Sequence, residues 1–438
     1  SYSSALSCLR HNRQLAYKPQ SSPAIIKAKK IGTIIILYLY FCAIFFFGTK
    51  DLRAAGVHLD ISREFARKIT VALPPFKGDA EGKIREILVS DLWRSGLFSP
   101  LKTEEDQSLE AELLVKVNCS LRSDRFHLKG WLYQTSGNRF LFGEHYQGER
   151  SQIRTIVHSF ANRIVEKITG EKGIAFTRIA FISDESGSKE LYIVDYDGQN
   201  KKRVTFDRVI TTCPDWSEDG ENLIYLSYLH NRTEIFFHKL KNGRRKILSS
   251  YPGLNAFADI SSKGEIALTL SKDGDPEIYA MNKNGSALRR LTYRKGVDAS
   301  PSWSPDGKRI AFVSDRGGSP QIYILERLTK KVSRLTYQGS YNTSPAWAPQ
   351  GNFIAYTSMI EGRFEICVIN LDNGEYTVLT SGPGNKEGPS WAPNGRLLVF
   401  SKRLGYKSDL YLLDIYTEES YPLMSGKGNY TSPAWSPK

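Results

Sequence analysis

The chain has 438 residues, 40% of them hydrophobic and 12% aromatic, a composition that excludes a disordered polymer and leaves room for two or three domains. Its net charge of +14 includes no stripe of Lys and Arg interleaved with aromatics, so it points to acidic surfaces or to general solubility and not to nucleic acid. Five cysteines on distant elements give no disulfide framework, and seven histidines without paired spacing give no metal site.

Residues 1–55 read as an export signal and stand outside the fold. Lys27, Lys29 and Lys30 form a positive start, Ile31 to Phe47 an apolar core of 17 residues, and Arg53-Ala54-Ala55-Gly56 a small-residue cleavage region. A core of that length sits at the lower limit for a membrane span, so an uncleaved anchor is the alternative. Cys42 follows Phe41, where a lipoprotein signal needs a small residue. The segment carries eight basic residues and one acidic, so the remainder has a net charge of +7 and three cysteines, Cys119, Cys213 and Cys367.

Residues 56–172 predict a small α/β domain. Lys68 to Leu73 reads as a strand stopped by Pro74-Pro75. Glu81 to Ser95 reads as an amphipathic helix with Ile84, Ile87, Leu88 and Leu92 on one face and Gly96 as its stop. Three antiparallel strands are expected at Leu113 to Leu121, Phe126 to Gln134 and Arg139 to Tyr146. A second helix follows from Gln152 to Ile168, with Ile153, Ile156, Val157, Phe160 and Ile164 at helical spacing, ended by Gly170.

Residues 173–438 repeat. Pro-x-Trp recurs at Trp303, Trp347, Trp391 and Trp435 in steps of 44 residues, and an earlier copy ends at Trp216. The gap from Trp216 to Trp303 is two periods, and the degraded copy between them places Ile260 in the tryptophan slot. A period in the forties with four short strands per unit marks a β-propeller. In one unit the strands are Asp298 to Ser304, Arg309 to Ser314, Pro320 to Glu326 and Val332 to Tyr337, separated by Asp-Gly and Gly-rich turns. Apolar runs such as IAFV suit blades covered on both faces, and a proline in the first strand suits an edge facing a central channel. Three strands from Arg178 to Phe206 lack a first one, and Thr431 to Ser436 is a first strand with nothing after it. Joining the two predicts six blades, the first sealed by the C-terminal strand.

The join IVEKITGEKGIAFTRIAFISDESG at Ile164 to Gly187 and D-Y-D-G at Asp195 to Gly198 are similar to the domain junction of the TolB family. The helix bearing His158, the SPxWSPDG turns and the PAWSP terminus extend the resemblance over Val57 to Lys438. The resemblance implies a mainly β protein with an α/β domain before a six-bladed propeller: a non-enzymatic, monomeric periplasmic adaptor of the Gram-negative Tol-Pal system, soluble once its signal is removed. Its partners would be the peptidoglycan-associated lipoprotein Pal, held at the channel mouth, and TolA, held by the N-terminal segment, in the service of outer-membrane integrity and constriction at division. In this chain that segment is Val57, His58, Leu59, Asp60 and Ile61, and the charged stretch after it (Arg63, Glu64, Arg67, Lys68) departs from the family pattern.

Loops feeding the innermost strands cluster at one mouth, which assigns the lipoprotein site to Leu254, Asn255, Phe257, Asp298, Ala299, Asn342, Thr343, Lys386, Glu387, Asn429 and Tyr430. The repeat tryptophans read as packing between blades, and Asp219-Gly220, Asp306-Gly307 and Asn394-Gly395 as turns. No cofactor is implied. A propeller-gated hydrolase would need a G-x-S-x-G elbow, which is absent from the sequence, and a channel that binds a small ligand or ion is the other alternative.

Overall fold

The computed structural model describes residues 67–103 and 110–438; the export segment and Val57–Ile61 lie outside the described residues. The first layer is a five-stranded sheet of order β2-β1-β3-β4-β5, built from β1 (Ile69–Ala72), β2 (Phe98–Leu101), β3 (Leu113–Arg122), β4 (Arg125–Gln134) and β5 (Arg139–Glu149). β1 pairs in parallel with β2 and β3, and β3 to β5 run antiparallel. Helices α1 (Lys83–Arg94) and α2 (Ile153–Thr169) cover the sheet. Ile84, Leu88 and Leu92 of α1 and Ile156, Val157, Phe160 and Ile164 of α2 recur at helical spacing and form one core with the strand residues. Gly130 on β4 lies so close to the Phe160 ring that a Cβ there would come within 2.3 Å of it. Asp79 accepts the backbone N–H of Ile84 and of Arg85 at the start of α1. Gly170, at φ 76°, ends α2.

β2 has no counterpart among the predicted strands. Its sequence FSPL reads as a breaker because of Pro100, yet β2 is the sheet edge, where a residue without an N–H is tolerated.

The six predicted blades are present as six four-stranded sheets. Their innermost strands are Tyr430–Trp435, Thr211–Trp216, Asn255–Ile260, Asp298–Trp303, Asn342–Trp347 and Asn385–Trp391, in blades one to six. The C-terminal strand completes blade one: Trp435 pairs with Ile179 and Tyr430 with Ser183, and the Ser436 amide donates to the Arg178 carbonyl at 2.8 Å. Ile260 pairs with Ile266 as Trp303 pairs with Ile310, so it does occupy the tryptophan slot. The second and third strands are buried nearly throughout, as their apolar runs require. Arginines stack on the slot tryptophans, Arg178 over Trp216 and Arg309 over Trp347 across a seam and Arg327 over Trp303 within blade four, each about 5 Å from the ring.

The Asp-Gly turns are structural. The Ser304 hydroxyl and the Lys308 amide donate to Asp306, holding its carboxyl below the usual range, and the Arg309 amide donates back to Ser304.

Candidate partner-binding face

Antiparallel alternation sends the turns between first and second and between third and fourth strands to one side of the ring. The hairpins between second and third strands and the loops leading into each innermost strand go to the other. The α/β domain packs on the first side. Asn394, in a first-to-second turn, donates to the Ser95 carbonyl, Trp93 lies 4.3 Å from the Tyr421 ring, and Lys68 pairs with Glu419. At the joint, buried Asp91 of α1 accepts from the Tyr196 hydroxyl and binds His158 Nδ1 of α2 at 2.6 Å. Burial and the neighbouring Asp91 charge hold the Tyr196 phenol protonated. Tyr196 belongs to the D-Y-D-G motif, so two features of the sequence that looked independent meet in one contact.

The opposite side carries the predicted mouth residues, and most of their side chains are already engaged. Asn342 Nδ2 donates to Gln321 Oε1 at 2.7 Å and to the Gln338 carbonyl, and Gln321 also receives the Thr336 hydroxyl. Lys386, only 2% exposed, repeats the arrangement with charge: Nζ lies 2.9 Å from Glu365 Oε1 and 2.8 Å from the Gly382 carbonyl, while Thr380 donates to Glu365. Asn255 bonds Ser249 and the backbone of Tyr251. Asp298 cannot copy the pattern because the preceding blade offers Glu277; it turns to Arg316 at 2.7 Å, and Glu277 is held by Arg290 and Thr292. Asn429 bonds Asp184 through both its amide nitrogens, and the hydroxyl of buried Tyr430 donates to Glu185. Ala299, Thr343 and Phe257 are buried, and Leu254 is half-buried. Burial pushes the Glu387 carboxyl up, and its Oε1 has no hydrogen-bond partner. Asn255, Asn342 and Lys386 thus latch successive blades, the last two each pairing directly with a residue 21 positions upstream, whereas Asp298 and Tyr430 bond within their own blades.

Two further features of the inner strands had no sequence signature. The third residue before each tryptophan slot has a positive φ: Cys213, Phe257, Ser300, Ser344, Gly388 and Ser432. Each marks a bulge where the inner-strand register shifts. The residue before the slot bridges to the next blade, as when Ser302 Oγ accepts the Trp347 amide and Ser390 Oγ that of Trp435. In blades two and three this residue is an aspartate. Asp215 accepts from Ile260 and Asp259 from Trp303, and the carboxyls adjoin; burial raises both, and the Asp215 charge raises Asp259 further.

Around the mouth stand exposed rings that the sequence reading passed over. Phe206, Tyr293 and Tyr337 each end a copy of Arg-[Val/Leu]-Thr-[Phe/Tyr], at Arg203, Arg290 and Arg334, a signal visible in the repeats. Among the described residues no group of three or more His, Cys, Asp or Glu could hold a metal ion, and no helix is long and apolar enough to cross a membrane.

Residues 165–438 match the family model described as the TolB beta propeller domain, and residues 57–129 that of the TolB amino-terminal domain. A protein TolB homolog of Chlorobium chlorochromatii is 38% identical over 187 residues, 43% of this chain and 42% of that protein. The Tol-Pal system protein TolB of Bordetella pertussis is 31% identical over 279 residues, 60% of this chain and 64% of that protein. Both alignments span less than two thirds of the curated relatives. The crystal structure of TolB from Acinetobacter baumannii superimposes with a TM-score of 0.78 at 29% identity, covering 85% of this chain and 97% of that one.

Proposed function

The chain belongs to the TolB family, and on that premise we propose that it is a non-catalytic adaptor of the Tol-Pal system in the periplasm of a Gram-negative bacterium. It holds the peptidoglycan-associated lipoprotein at the channel mouth and TolA through Val57–Ile61, once the export segment is removed. What carries this reading is the division of the propeller into two sides: the α/β domain occupies one, and the mouth opens on the other, so one chain can serve two partners without competition for surface. The acids of the repeats support a binding role over a catalytic one, because Asp219 and Asp306 are tied into turns and Glu190, Glu277 and Glu365 into buried networks.

The test is calorimetric titration of the protein purified from the periplasm with the soluble domain of its host's peptidoglycan-associated lipoprotein and, separately, with the C-terminal domain of TolA. Saturable one-to-one binding to both, with only the second lost on deleting residues 57–61, is expected. Absence of lipoprotein binding by calorimetry and by a second method refutes the assignment.

A further inference from the structure

The sheet of the α/β domain buries one face beneath α1 and α2 and leaves the other exposed over β3, β4 and β5. Alternation along β4 turns Lys129, Trp131 and Tyr133 to this open face. Register then sets Lys116 of β3 and Gly143 of β5 on either side of Trp131, and Asn118 and His145 on either side of Lys129. A Cβ on Gly143 would come within 2.7 Å of Trp131 Cδ1, so the indole leans over the glycine and lies along the sheet.

The two aromatics of β4 on this face differ in what surrounds them. Tyr133 has the Phe140 ring 5.7 Å away and Lys116 Nζ 5.4 Å from its own ring centre. Trp131 is partly exposed, and among the described residues no ring or cation stacks on it. Lys116 and Lys129 are exposed and enter no ion pair among the described residues. A flat ring with an open side, two unneutralised cations beside it and short polar side chains next to them match an acidic sugar. The C–H face of a pyranose packs on the indole, its hydroxyl and N-acetyl groups meet Asn118 and His145, and its carboxylate meets a lysine. A single strand of nucleic acid stacks successive bases on successive free rings, whereas here the next ring along β4 already holds Lys116.

From this arrangement we propose that the open sheet face binds the glycan of peptidoglycan, a polymer of N-acetylated sugars that carries carboxylates. Trp131 supplies the stacking surface, and Lys116 and Lys129 select for acidity. The site lies on the α/β domain, apart from the channel mouth, and shares with the adaptor reading only its periplasmic compartment.

The experiment sediments the purified protein with protein-free peptidoglycan sacculi and repeats this for Trp131→Ala, for Lys116→Glu/Lys129→Glu and for the control Leu328→Ser, on an exposed turn of blade four. About a ten-fold weakening is expected for Trp131→Ala and for the charge reversal, and none for the control. Amidating the carboxylates of the sacculi should weaken wild-type binding as the charge reversal does, while every variant keeps wild-type affinity for the lipoprotein. Should Trp131→Ala lose its fold by circular dichroism, the charge reversal decides. No sedimentation of the wild type, or sedimentation that neither variant reduces, overturns the inference and leaves the adaptor reading to its own titration. Tighter binding of oligothymidylate than of sacculi assigns the face to nucleic acid, and a dimer that Trp131→Ala dissociates in analytical ultracentrifugation assigns it to a second copy; either result overturns the inference.

Discussion

Replacing Lys386 tests whether the mouth ring is a latch, because the molecule contains the same latch in neutral form. Glu365, Thr380 and Lys386 hold blades five and six as Gln321, Thr336 and Asn342 hold blades four and five, with matching contacts to Gly382 and Gln338. Lys386→Asn removes the cation and leaves the Glu365 carboxylate buried with neutral donors only, Thr380 and the new amide. Breaking a buried pair from one side costs about 3–5 kcal/mol, most of it the uncompensated charge. The double variant Glu365→Gln/Lys386→Asn rebuilds the neutral latch, and its stability is expected within about 1 kcal/mol of wild type. Urea denaturation followed by tryptophan fluorescence reads both, since the repeat tryptophans sit at the seams. A Lys386→Asn protein that unfolds at the wild-type urea concentration, or a double variant as weak as the single, refutes the argument. A loss of lipoprotein binding on changing Lys386 would then report a loosened seam and no direct contact.

Asp259→Asn should stabilise the protein at neutral pH. The folded state raises the carboxyls of Asp215 and Asp259, so it favours their protonated forms and loses stability as pH rises from the ordinary carboxylate range through the raised values. Asparagine keeps an acceptor for the Trp303 amide and removes the charge; a gain of about 1–3 kcal/mol at pH 8 with a flatter profile from pH 4 to 8 is expected in urea titrations. Deleting residues 431–438 removes most of the inner strand of blade one, and the truncated protein should fail to give a cooperative thermal transition. His158→Ala strips one of two partners from buried Asp91 at the joint, which costs about 2 kcal/mol. Calorimetry should show the α/β domain melting ahead of the propeller; a single unshifted transition would count against the joint as a coupling element.

The sequence was most legible where one residue type does one job. Arg309–Ser314 was bounded correctly because Asp306-Gly307 and the Gly-rich turn bracket it, and Ile260 was placed by the period alone. β2 was lost because Pro100 signals a break wherever it stands, and only the finished sheet reveals that it lies at an edge. The bulges were illegible because five of their six residues carry side chains at positive φ, and glycine marks only the one at Gly388. The mouth residues were expected in the loops feeding the innermost strands, whereas all but Leu254 and Asn429 lie in those strands, and their burial depends on which residue the preceding blade presents. That dependence leaves a trace: Asn342 and Lys386 each face a partner 21 positions earlier. The rim aromatics were overlooked because an aromatic that recurs in register reads as core, and only the fold shows which recurrent rings face outward.

The closure of blade one also sets an order of events in time. Arg178 and Ser436 bond each other across 258 positions, so the first blade to leave the ribosome is the last to be finished. Until those final residues arrive, the ring has an open seam on both sides and blade one has an unpaired inner edge. On the export route proposed above such a delay would be an advantage, because the contacts that lock the ring do not exist while the chain is still being made. On that route the C-terminal strand would act as a timer as well as a fastener.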